Sequence, residues 1–202
     1  NWGLGSSSTL ILLLAQWSHT NPYEILKNTF GGSGYDIACA TAEGPIFYQL
    51  KEGQPMVSDA YFSPAFSDKL YFVYSGKKQN SGNQIALFDK NAEYSEKQIN
   101  EISQITEQIA VTEDFSEFCT LIRTHEELMS GILKIKPVKS HFFSDFEGEI
   151  KSMGAWGGDF ILAASQLPEV EVKNYFKNKG LNTIFKFEEM VYHKDKQLLN
   201  IQ

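Results

Sequence analysis

The 202-residue sequence has only two cysteines, Cys39 and Cys119, and they lie far apart. It has no CxxC pair and no Asn-x-Ser/Thr sequon. This usage excludes a disulfide-stapled scaffold and predicts two reduced thiols in a cytoplasmic protein. Long hydrophobic runs are missing too. The longest, residues 10–15, is far short of the roughly 20 residues that cross a bilayer, and it lacks the basic flank of a signal peptide. There is no excess of positive charge, since 18 Lys and Arg face 25 Asp and Glu for a net charge of -7. With no basic run interleaved with aromatics, a nucleic-acid binder working by counterion release is excluded. His125-Glu126 opens like a zinc-protease HExxH, but Met129 stands where the second imidazole belongs. The four histidines show no ligand spacing.

What is present is an ordinary globular composition, 42% hydrophobic and 21% charged, with enough length for one large or two small domains. Residues 8–17 read as a helix apolar nearly all round, hence buried, with Ser6, Ser7 or Ser8 as its N-cap. Residues 23–28 read as a short helix after Asn21-Pro22, and residues 45–50 as a strand followed by a polar turn at 51–54. KLYFVY, 69–74, is a strand by its β-branched and aromatic content. Ile99, Ile102, Ile105 and Ile109 give residues 91–111 a helical period. Asp114 caps a helix over 115–132, with Glu117 in a capping-box position. Pro137 opens a short helical piece, with Phe142, Phe143 and Phe146 as core residues. Residues 149–165 read strand, glycine loop, strand. A helix over 169–179 ends at Gly180, and 183–187 form a closing strand.

Three loops are dense in glycine: Gly3-Leu4-Gly5, Gly31-Gly32-Ser33-Gly34, and Gly154 with Gly157-Gly158. Each by itself makes a turn more often than a site. The first runs straight into an apolar helix, and free N–H groups at a helix N-terminus bind anions. No Gly-Lys-Ser/Thr follows, so it is not a Walker A loop. An acidic protein can still hold phosphate there through backbone N–H groups and a few lysines.

GLGSSST before an apolar helix resembles the second motif of the GHMP kinases. FGGSGYDIACA resembles the segment that supplies the catalytic aspartate in the mevalonate and phosphomevalonate branches. IKSMGAWGGDFILAAS resembles the third glycine motif. The three stand in family order over almost the whole chain, and GYDIA matches a bacterial subgroup named for those residues. The resemblance implies an α+β GHMP kinase fold. Residues 1–66 would be the remainder of an ATP-binding N-terminal domain like ribosomal-protein S5 domain 2, and 67–202 a ferredoxin-like C-terminal domain. The family's first motif, of the Pro-Gly-Lys type, would lie upstream of Asn1, so the expectation is a chain without its N-terminal part, inactive alone. Trp156 stands where relatives carry glycine.

The implied activity is ATP- and Mg2+-dependent phosphoryl transfer to a small-molecule acceptor, mevalonate or phosphomevalonate being favoured. Alternatives are a sugar or homoserine kinase, a diphosphomevalonate decarboxylase, and a non-catalytic nucleotide-binding protein. A homodimer stays open as a partner. Gly3, Leu4, Gly5, Ser6, Ser7 and Ser8 would wrap the phosphates, with Ser6 or Ser7 reaching the metal; the bland reading is a serine N-cap. Asp36 would take or orient the acceptor's proton; otherwise it caps a turn or the next element. Glu24, twelve residues before Asp36, sits near the offset of a metal-binding glutamate in some relatives, and is otherwise an exposed helix residue. Gly154, Ala155, Gly157 and Gly158 form the third motif. Ser33, Gly34, Lys77, Lys78 and Lys151 are acceptor-binding candidates, with the lysines otherwise a solvated loop and a strand end. Cys39 reads as a small buried residue.

Overall fold

A computed structural model describes residues 5–76, 94–154 and 159–191. They fall into two compact units that divide between Phe62 and Ser63.

The first unit begins with α1 (Ser6–Ser18), α2 (Pro22–Asn28) and α3 (Tyr35–Thr41). No serine caps α1. Gly5 does, in the left-handed region at φ 69°, with no side-chain cap. The Ser8 and Thr9 hydroxyls donate back to the Gly5 carbonyl, both at 2.9 Å. A serine hydroxyl inside the helix reaches a carbonyl of the preceding turn, and here that takes Ser8 out of the capping role. Nor is α1 buried all round. Ser8, Ile11 and Ala15 are buried, but Leu10, Leu13, Leu14 and Trp17 are exposed. Only the stripe packed on α2 and α3 finds cover. Asn21 caps α2 by accepting from the Tyr23 amide at 2.9 Å. The helix α3 follows the second glycine cluster and carries Asp36 in its first turn. Cys39 is exposed rather than buried, because the face of α3 that turns inward is that of Ile37 and Ala38.

A hairpin completes this unit. β1 (Ile46–Lys51) pairs antiparallel with β2 (Gln54–Asp59), from Ile46↔Asp59 to Lys51↔Gln54. Its tip, Glu52-Gly53, has φ of 50° and 75°, the backbone that two-residue hairpins require. Among the described residues this sheet has two strands. Ile46, Phe47 and Tyr48 are half-buried, whereas Leu50, Met56 and Val57 are exposed.

The second unit holds β3 (Leu70–Tyr74), α4 (Glu96–Val111), α5 (Phe115–Leu133), α6 (Val138–Phe142), β4 (Glu149–Ser152), β5 (Phe160–Ala164), α7 (Glu169–Asn178), β6 (Ile184–Lys186) and α8 (Phe187–Met190). Its sheet has the order β4-β5-β3-β6 with every neighbouring pair antiparallel. In chain order this is a β-α-β-β-α-β arrangement with added helices. Tyr71, Val73, Ile150, Ile161 and Ala163 from the sheet pack with Phe143, Phe146, Val172 and Phe176. Phe142, expected in the core with its neighbours, is exposed, because a five-residue helix turns only part of its circumference inward. The turn into β4 needs its glycine. Gly148 sits at φ 152°, and a Cβ there would lie 2.2 Å from the Ala164 carbonyl.

The helix expected over residues 91–111 begins at Glu96 instead, where its cap lies. Ser95 and Gln98 form a complete capping box on α4. Asp114 accepts from the Glu117 amide at 2.7 Å, while the Glu117 carboxylate accepts from the Thr112 hydroxyl instead of closing a box. Ser95→Ala is expected to lower the stability of this unit by about 1 kcal/mol, read as a shifted urea midpoint at unchanged slope.

Candidate functional site

The N-terminus of α1 has the makings of an anion cradle. The first helical bond runs from the Thr9 amide to the Gly5 carbonyl at 2.9 Å, which leaves the first-turn amides outside the ladder. Gly5, Ser6 and Ser7 are exposed, whereas the Ser8 side chain is buried and committed to Gly5. No acidic residue occupies that first turn. Gly3 and Leu4 lie outside the described residues.

The second glycine cluster is built differently. Gly31, Gly32 and Gly34 take φ of 66°, 98° and 82°. The chain thereby turns sharply between α2 and α3, a path only glycine follows without strain. Gly34 is the N-cap of α3 and has no side-chain cap. Asp36 stands exposed two residues later. Ile37 and Ala38 amides both donate to the Gly34 carbonyl at 3.1 Å. Around this turn stand three tyrosines that the sequence did not single out. The Tyr48 hydroxyl, from β1, donates to the Ser33 carbonyl. Tyr35 meets Tyr48 edge-on with ring centroids 5.6 Å apart. The ring of Tyr23, from α2, lies 2.8 Å from where a Cβ on Gly34 would be. Burial first, then a hydrogen bond to Cys39, pushes the Tyr35 phenol well above its ordinary range.

Glu24 is exposed in the first turn of α2. Among the described residues no group of three or more His, Cys, Asp or Glu could hold a metal ion. Lys77, Lys78, Ala155, Trp156, Gly157 and Gly158 lie outside the described residues. Gly154 is exposed at φ 66° just past β4.

Lys151 has company. Its Nζ lies 3.1 Å from Nδ1 of His125 and 3.5 Å from Oε1 of Glu126, both on α5. Ser152 donates to the other Glu126 oxygen at 2.9 Å. Desolvation dominates this cluster. It raises the Glu126 carboxyl, lowers the Lys151 ammonium and, helped by the charge on Lys151, lowers His125 to about 4. A neutral His125 can accept from the lysine. The signal was present in the sequence, because Phe118, Ile122 and Glu126 follow one another at four-residue steps and place a carboxylate in the apolar stripe of α5. At the other end of β4, Glu149 accepts from Arg123 and Lys139, at 3.0 Å from Arg123 Nε and 3.2 Å from Lys139 Nζ. Buried Glu149 and its more exposed partners line an open cavity of about 480 Å³ with Cys119, whose thiol burial pushes up to about 11.

No protein-family model and no curated protein matches the chain. Solved structures do. A Streptococcus pneumoniae phosphomevalonate kinase in complex with phosphomevalonate and AMPPNP aligns with a TM-score of 0.66 at 17% identity, over 92% of this chain and 69% of that one. A Listeria innocua protein aligns with a TM-score of 0.66 at 17% identity, over 92% and 66%. An L. major mevalonate kinase in complex with R-mevalonate aligns with a TM-score of 0.55 at 14% identity, over 79% and 54%. The chain thus spans about two thirds of the first two structures and about half of the third. At such identities the likeness is one of fold, and the chain has a GHMP-kinase-like fold.

Proposed function

We propose that this chain is part of an ATP-dependent small-molecule kinase. The γ-phosphoryl group would pass to mevalonate or phosphomevalonate. The observation that carries this reading is the start of α1, where an exposed, left-handed Gly5 opens a helix with no side-chain cap and no acidic first turn. That feature suits a phosphate, and it occurs on a fold shared with a kinase solved with AMPPNP.

In this reading the amides of Ser6, Ser7 and Ser8 hold the β- and γ-phosphates, and the exposed hydroxyls of Ser6 and Ser7 are the candidates to hold Mg2+, with Glu24 as the outlying one. The metal, when bound, neutralises phosphate charge. Asp36, exposed and pinned at the start of α3, accepts or orients the proton of the acceptor hydroxyl. Ser33 and Gly34 border the acceptor. Lys151 is held by His125 and Glu126, so Lys77 and Lys78 are the stronger candidates to meet an acceptor phosphate. Gly154, Ala155, Gly157 and Gly158 remain candidates for the nucleotide through their resemblance to the third glycine motif.

The test is a transfer assay. Full-length protein, Mg2+ and labelled ATP are offered a panel of mevalonate, phosphomevalonate, homoserine and sugars. Label is expected on mevalonate or its phosphate. Nucleotide binding without transfer to any of these alcohols would overturn the kinase in favour of a binding protein.

A further inference from the structure

We infer that Tyr48 is a positioning residue for Asp36, acting through the glycine turn that connects them. This rests on the reading of Asp36 as the group that handles the acceptor's proton. The turn has little to hold it by itself. Gly31, Gly32 and Gly34 are all left-handed, and glycine loses more conformational freedom on ordering than any other residue. Gly34 starts α3 with no side-chain cap, and α3 is only seven residues long, too short to be stable on its own. Something outside the turn must therefore fix where α3, and with it Asp36, begins.

Tyr48 supplies that restraint. It stands on β1, which is paired along its length with β2, so its backbone is anchored independently of the turn. Its hydroxyl donates to the Ser33 carbonyl, the peptide immediately before Gly34. Its ring receives Tyr35, the first residue of α3, edge-on. Beside it the Tyr23 ring closes on Gly34 so tightly that a Cβ would meet it at 2.8 Å. The turn is thus gripped at Ser33, Gly34 and Tyr35, the three residues leading into Asp36. A carboxylate that must meet a hydroxyl within hydrogen-bond reach is sensitive to displacement of this kind, since an error of about 1 Å can cost on the order of 10²-fold in rate. The phenol oxygen lies 3.4 Å from the position of a Gly34 Cβ, in ordinary contact, so it is the Tyr23 ring and the left-handed backbone that disfavour a side chain there.

The experiment compares Tyr48→Phe with Asp36→Asn in the full-length protein. Tyr48→Phe keeps the ring and its contact with Tyr35 and removes only the hydroxyl. It is expected to lower kcat about tenfold with KM for ATP unchanged. Amide exchange at Ile37 and Ala38 should speed up, while exchange in β3 and β5 stays as it was. Asp36→Asn should lower kcat further without changing exchange at Ile37 and Ala38. If Asp36→Asn abolishes turnover but Tyr48→Phe changes neither kcat nor exchange, the positioning role is wrong and the reading of Asp36 stands. Full turnover in Asp36→Asn overturns that reading, and the positioning role falls with it. Faster exchange with unchanged kcat makes Tyr48 a purely structural staple and also overturns the inference.

Discussion

Asp36→Asn in the full-length protein is expected to lower turnover by roughly 10²-fold or more while leaving nucleotide affinity largely intact. The amide keeps the size and the helix-start geometry of the aspartate and loses its charge and its capacity to take a proton. Asp36 is exposed in the first turn of α3, so the change should cost little stability: the charge it removes interacts with the helix N-terminus by a few tenths of a kcal/mol to about 1 kcal/mol. Parallel measurement of kcat, ATP affinity and melting separates the possibilities. A drop in kcat alone identifies the proton-handling role. A matching loss of ATP affinity places Asp36 with the phosphates instead. Unchanged turnover removes it from the chemistry.

The largest stability effect is expected inside the second unit, at Glu126. Replacement by Leu leaves the Lys151 ammonium buried with His125 alone and takes the acceptor from Ser152. Removing one partner of a buried pair typically costs about 3–5 kcal/mol. Glu126→Gln should cost less, because it still accepts from Ser152. The double variant Glu126→Leu with Lys151→Met should recover much of the loss, since the penalty comes from the orphaned charge rather than from a strong attraction. Urea unfolding of the four proteins decides this. A double variant as unstable as Glu126→Leu would show that the pair is net stabilising.

The same cluster gives a pH dependence with a definite sign. His125 is held neutral, with its folded value lowered from 6.5 to about 4. Between those values the unfolded chain binds the proton and the folded chain does not. His125 therefore contributes stability that is complete above pH 6.5 and is lost as pH falls towards 4, by roughly 3 kcal/mol at most. The raised carboxyl of Glu126 works in the opposite direction, because its protonation at low pH is easier in the folded state. The difference between the wild type and His125→Asn isolates the histidine. That difference should shrink as pH falls from 6.5 to 4.

Local chemistry was legible along the chain. The Asp114 cap marks its helix start as expected, because a side-chain oxygen can reach an amide two or three residues on, whereas Asn21 and Ser95 also cap helices without having been singled out. KLYFVY reads as a strand and is one, paired on both sides, because β-branched and aromatic residues suit a pleated surface. The three glycine motifs pointed to the GHMP fold, which the structural likeness bears out. The misreadings have a common origin. A solid apolar run such as residues 10–15 declares that a helix is hydrophobic, not how much cover it will receive, and Leu10, Leu13, Leu14 and Trp17 stay exposed. The helix α3 and the strand β2 were missed because each is short and weakly patterned, and each is held by partners from elsewhere in the chain.

By itself, then, the sequence determined the long helices and the strand at KLYFVY, where the chain must turn through glycine, and the GHMP-kinase-like fold those turns belong to, since all of these depend on residues within a few positions of one another. Only the tertiary structure decided that Lys151 faces His125 and Glu126 across α5 and β4, and that Tyr23 and Tyr48 close on the turn before Asp36. Those pairs are 26, 25, 11 and 15 residues apart in the chain. Nothing in a local pattern brings them together, because the force that does so is the burial of apolar faces that the polar groups merely share.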